Sequence, residues 1–118
     1  MWISYLKNTK LKSEKIMIRI KIPKEIKVGG SDYTIKVDDV TLSYLKDHSN
    51  RGECSHRNRI ISLDNSQSPQ DFSETFIHEC CHAVDTIYCN DELSEWQVRG
   101  IASGFHQILE SLGVRFVK

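Results

Sequence analysis

From Ile16 onward apolar and polar positions alternate, with Ile16, Ile18, Ile20 and Ile22 on one face and Met17, Arg19 and Lys21 on the other. Period two predicts a half-buried strand, and Pro23 ends it. The stretch EIKV, Gly29-Gly30, SDYTIKV reads as a hairpin, because the glycines supply the positive φ that a tight turn requires. Residues 41–48, TLSYLKDH, read as a short helix capped by Thr41. The polar NRGECSHRN after it reads as a turn, and RIISL at 59–63 as another strand.

At Ser68 the period changes. Ser68 is a capping residue, Pro69 fits the first helical position, and Asp71 suits the positive end of the helix dipole. A helix is predicted from there to about Cys89, which caps its end, with Phe72, Phe76, Cys80, Ala83, Val84 and Ile87 as the buried stripe. Asn90-Asp91 breaks it. Ser94 and Gln97 form a capping box for a second helix. That helix carries Val98, Ile101, Ala102, Phe105, Ile108, Leu109 and Leu112 at helical spacing, and Gly113 closes it. Strands first and two longer helices after them predict an α+β domain: an N-terminal antiparallel or mixed sheet, then the helix pair.

With 118 residues the chain fits a single domain, read here as 16–118 behind a polar, irregular leader at 1–15. Met17 is an alternative start. Lys+Arg and Asp+Glu balance at 16 each, so no basic surplus points to nucleic acid. No apolar run approaches the roughly 20 residues that span a bilayer, and no signal-peptide pattern opens the chain. A cytoplasmic protein without a membrane partner is expected. The four cysteines (Cys54, Cys80, Cys81, Cys89) agree, since their spacing does not suit a disulfide framework.

The chemistry lies in residues 78–82, HECCH. A helix turns about 100° per residue, so His78 and His82 project from one face, close enough to share a zinc ion. Glu79 flanks that face, beside a water on the metal rather than as a ligand, where it can move a proton. A catalytic zinc takes a third protein ligand and keeps one position open. The second helix offers two carboxylates at its start, Glu92 before the cap and Glu95 after it. Glu95 shares a face with Val98, Ala102 and His106, which favours it. An acid there also stabilises the helix N-terminus without any metal. Cys80 lies roughly 200° from His78 and belongs to the core stripe, and Cys81 occupies the space beside the histidines.

HECCHAVD followed by LSEWQV resembles the zincin metallopeptidases of the gluzincin type, in which a later glutamate joins the two histidines of HExxH. The short, strand-then-helix form is similar to small phage and bacterial zincins such as ImmA/IrrE-type peptidases and minimal gluzincins. The resemblance covers mainly residues 59–112. It implies a small zincin-like domain with zinc on His78, His82 and Glu95, and with Glu79 as the base. It also implies that RIISL is the edge strand on which an extended peptide or protein substrate pairs. No third-histidine continuation follows His82, which separates the chain from metzincins. Members often add a His or Tyr for the oxyanion, and the candidates here are His106, Tyr88, His56 and His48. Asp85, a turn beyond His82, can fix the tautomer of a ligand histidine. Cys54, in the loop before the presumed edge strand, can reach over the cleft as a thiolate and hold the enzyme latent.

Two functions follow. One is a zinc-dependent metallopeptidase that hydrolyses peptide bonds through a zinc-bound water activated by Glu79. The other is a non-catalytic, zinc-stabilised accessory module of a phage or mobile element that acts through a protein partner. The oligomeric state is not legible from the sequence.

Overall fold

The computed structural model of the chain describes residues 17–118; the leader and Ile16 lie outside them. Among the described residues six strands form two sheets beside three helices, an α+β arrangement. Strand β1 spans Ile18–Lys21, β2 Glu25–Val28 and β3 Ser31–Lys36. The hairpin between β2 and β3 forms as expected, with Val28 opposite Ser31 and Gly29 at φ 61°. That glycine answers two demands. Besides the positive φ, a Cβ there would meet Ile87 Cγ2 at 2.5 Å, so the turn sits directly on the helix that carries the histidines.

Helix α1 runs from Asp39 to Asp47, and its cap is Asp38 rather than Thr41. Asp38 Oδ1 accepts the Thr41 N–H at 2.8 Å, which holds the Asp38 carboxyl below its ordinary range. Thr41 itself is buried within the first turn. Strand β4, Gly52–Ser55, occupies the stretch expected to be a turn, and β5, Ile60–Leu63, follows. The four-stranded sheet has the order β2-β3-β5-β4, with β3 and β5 parallel and the outer pairs antiparallel. Strand β5 is therefore enclosed on both sides, and β4 is one of the two edges, with β2 the other. RIISL cannot be the strand that accepts a substrate.

Helix α2 spans Pro69–Tyr88, with Ser68 Oγ accepting the Asp71 N–H at 3.2 Å and Cys89 at the C-cap. Helix α3 spans Glu95–Ser111 with both halves of the Ser94/Gln97 capping box in place. The core gathers Ile22, Tyr33, Ile35, Ile61, Leu63, Phe72, Phe76 and Ala83, with Cys80 and Ile87 half-buried against it. Val84, expected in that stripe, is exposed. On α3 only Val98 and Ala102 of the apolar series are fully buried, joined by His106; Ile101, Phe105, Ile108 and Leu112 face outward. The α3 surface that meets α2 is the row 98-102-106, one ridge at i+4 spacing, which leaves the flanking apolar positions uncovered.

The chain closes with β6, Val114–Val117, which pairs parallel to β1 in a separate two-stranded sheet. Because β1 joins β6 and not the main sheet, its alternation buries neither face, and Ile22 just beyond it reaches the core instead. Among the described residues no helix is long and apolar enough to cross a membrane.

Candidate metal centre

Three side chains converge where the N-terminus of α3 crosses the middle of α2. His78 Nε2 lies 3.1 Å from Glu95 Oε2, His82 Nε2 lies 3.1 Å from Glu95 Oε1, and the two imidazole nitrogens are 3.2 Å apart. Tetrahedral zinc with ligands at about 2.0–2.1 Å has ligand–ligand edges of roughly 3.3 Å. The spacings are on that scale, with the two 3.1 Å contacts ending on different oxygens of Glu95. With one ligand atom from each residue, His78, His82 and Glu95 form a group that could hold a metal ion, all three atoms within 4.8 Å of one another. The donor set, two imidazoles and one carboxylate, suits zinc and leaves a position open for a water or substrate.

The turn between the helices sets this convergence. Asn90 and Asp91 take φ values of 55° and 58°, a left-handed pair that these residue types tolerate better than most. Asp85, buried on α2, accepts the Leu93 N–H through Oδ1 at 3.2 Å, and its carbonyl accepts the Cys89 and Asp91 N–H groups. Thr86 Oγ1 donates to Asp91 Oδ1 at 2.6 Å. Asp85, considered above as an acceptor for a histidine N–H, thus grips the connection through Oδ1 and its carbonyl, and this grip delivers Glu95 to the site. Glu92 remains in the turn, outside the group.

The triad opens into a cleft of about 730 Å³ whose walls include β4, the N-terminal half of α2 and the first two turns of α3. Glu79 is buried in it, and a Cβ on Gly52 would stand 3.1 Å from both Cγ and Oε2 of Glu79. Edge strand and general-base candidate are thus in direct apposition, closer than a side chain at position 52 would allow without a shift of its neighbours. Burial, then the charges of Glu95 and Glu53, push the Glu79 carboxyl up to about 8. A divalent cation held by the triad acts in the opposite sense and favours the carboxylate. Burial lowers His82 from its ordinary value, against the pull of Glu95. Arg99 on the next turn of α3 sits 3.8 Å from Glu95 Oε2. Further along the cleft Ser103 Oγ donates to Glu74 Oε2 at 3.1 Å and ties α3 to α2.

The thiols stand apart from the triad. Cys54 lines the cleft at 3.6 Å from His56 Nδ1, and burial with Glu79 and Glu53 nearby pushes it up to about 12. That environment favours the protonated thiol, whereas a cation in the cleft would act in the opposite sense, as it does for Glu79. Burial likewise drives Cys80 up to about 12 and raises Cys81. Of the oxyanion candidates only His56 lines the cleft. His106 is buried between the helices, its Nδ1 3.9 Å from Glu74 and its Nε2 3.7 Å from Glu110. His48 points Nδ1 at the Tyr44 carbonyl, 2.8 Å away, and Tyr88 lies by the Gly29 turn. Gly52, Glu53, Thr75 and Arg99 are cleft residues that the sequence reading passed over. The isolated glycine within GECS was the available signal, because such a glycine often marks a close backbone approach.

The chain was compared with protein-family models, curated proteins and solved structures, and matches none of them.

Proposed function

We propose that this protein is a zinc-dependent metallopeptidase. The observation that carries the reading is the convergence of His78, His82 and Glu95, close enough to share one ion, with buried Glu79 beside it at the edge of an open sheet. Zinc, when bound, supplies a Lewis acid and lowers the pKa of a coordinated water toward 7. The chain's own residues do the rest. Glu79 takes the proton of the attacking water and returns it to the leaving amine. The free edge of β4 offers main-chain groups to an extended peptide, which fixes the scissile bond over the triad. Burial of Glu79 against Gly52 keeps bulk water from its carboxylate.

The test is a pair of measurements on wild type and Glu79→Gln. Wild type is expected to carry close to one zinc per chain and to cleave members of a broad peptide and protein panel. The variant is expected to keep its zinc and lose cleavage. Zinc-loaded wild type that cleaves nothing would instead assign the centre a purely structural role in joining α2 to α3. A chain that takes up no zinc would sink both readings.

A further inference from the structure

The outer side of α3 carries an apolar surface that the described residues leave uncovered. Ile101, Phe105, Ile108 and Leu112 are 43%, 56%, 54% and 69% exposed. Their spacing of four, three and four residues places them in one seam, as in a helix that meets a partner. The seam does not stop at the helix end. Ile18 N–H donates to the Gly113 carbonyl, and Ile18 and Ile20 of β1 are themselves 57% and 42% exposed. The four α3 residues alone expose roughly 400 Å², within the range of the largest patch on an ordinary monomer.

We propose that residues 1–16 of this same chain cover that surface. Three observations single out this occupant. The first is continuity, because the chain enters β1 at the C-terminal end of the seam. The second is composition, since Met1, Trp2, Ile3, Tyr5 and Leu6 make the start of the segment the most apolar part of the leader. The third is charge. Residues 1–16 hold four lysines and one glutamate, leaving residues 17–118 with twelve basic and fifteen acidic side chains, so segment and domain carry opposite net charge.

Reach is ample: the twelve residues from Leu6 to Ile18 span up to about 40 Å extended, whereas Ile101 to Leu112 covers roughly 17 Å of helix. A second copy is the weaker occupant, because a stable interface buries about 800 Å² per partner and pays for association as well. A tethered segment does not bear that cost. The seam lies on a different flank of α3 from Glu95, Arg99 and Ser103, so this docking is independent of the metal centre and of any activity assigned to it.

Trp2 and Trp96 are the tryptophans of the chain, so Trp2 can be observed alone in a full-length Trp96→Phe background. Acrylamide quenching of Trp2 is expected to be several-fold weaker than that of free tryptophan, at all protein concentrations. Adding Phe105→Asp, a change on an exposed position, is expected to raise it to the free value. Amide shifts in a Trp2→Ala, Leu6→Ser chain are expected to move at Ile18, Ile101, Ile108 and Leu112 and to stay fixed at His78 and Glu95. Trp2 quenched as freely as the amino acid in both proteins would overturn the proposal. Protection that grows with concentration, in a dimer that Phe105→Asp dissociates, would also overturn it and assign the seam to a second copy.

Discussion

Replacing Gly52 with alanine probes the apposition between the edge strand and Glu79. The new Cβ would stand 2.6 Å from Thr75 Cγ2 and 3.1 Å from Glu79 Cγ and Oε2. The first contact is about 1 Å short of an ordinary carbon–carbon distance. Thr75 cannot simply turn away, because it is β-branched within a helix and its Oγ1 donates to Gln67 Oε1 at 2.9 Å. Strand β4 must lift or α2 must shift, and overpacking of this kind costs about 1–3 kcal/mol. In a domain of this size each kcal/mol lowers Tm by roughly 4–8 °C, which thermal denaturation resolves easily.

Glu79 must also yield by some tenths of an ångström. A displacement approaching 1 Å at a catalytic group can cost about 100-fold in rate. The zinc content, which the proposed centre assigns to His78, His82 and Glu95, is expected to stay at the wild-type level. Thr75→Ser removes the clashing methyl while keeping the hydroxyl, so Gly52→Ala/Thr75→Ser is expected to recover part of the lost stability, with a coupling above about 0.5 kcal/mol. Wild-type Tm in Gly52→Ala, or additivity in the cycle, would refute the reasoning.

Other changes follow from the same geometry. Glu95→Gln removes the charge but little volume, and its loss of zinc affinity in chelator competition should exceed the roughly 10–100-fold that an outer-shell partner is worth; unchanged affinity would exclude Glu95 as a ligand. Asp85→Ala frees the Leu93 N–H and loosens the turn that delivers Glu95, so its loss of zinc affinity should fall within that outer-shell range, without loss of helix content. Because burial holds His82 below its ordinary 6.5, protons compete with the metal only at lower pH; zinc retention should therefore be flat on descending to about 6.5 and decline below it, and a decline starting above 7 would contradict this. Asp38→Ala removes the cap of α1 and should cost about 1 kcal/mol by denaturant titration, leaving zinc content untouched.

The features legible in the sequence are those whose physics is local. The spacing of His78 and His82, the Ser68 start and the Ser94/Gln97 box each involve groups within one helical turn, and the chain builds them as read. Gly29 was equally legible, since two-residue hairpins need its backbone freedom. Strand β4 was not. Gly52–Ser55 has neither alternation nor strong strand formers, and it is extended because it pairs with β5, a non-local choice that overrides propensity. The same pairing decides which strand is the edge. On α3 the period located the apolar positions but not the ridge that meets α2, so Val98, Ala102 and His106 are buried where a broader stripe was expected. Asp38 was overlooked as the cap because Thr41, three residues on, is also a capping type, although its N–H is what the cap binds.

The β1–β6 pair matters for the order in which the molecule assembles. It joins Ile18 to Val114, and β6 also engages the helix that bears the histidines: Phe116 N–H donates to Ser73 Oγ at 3.0 Å, and the Phe116 ring packs at a tilt against Phe76, with centroids 5.1 Å apart. Contacts between such distant positions close late, once the loop between them has been paid for in entropy. On a chain emerging from the ribosome His78 and His82 come first, Glu95 second, and the strand that braces α2 from behind last. If the proposed centre takes up its metal during synthesis, an ion captured early would be held by two imidazoles on an unbraced helix, and the full set of residues would be braced only after Val117 has been synthesised. On that reading, loading of the site would be timed by the closing strand and not by the motif itself.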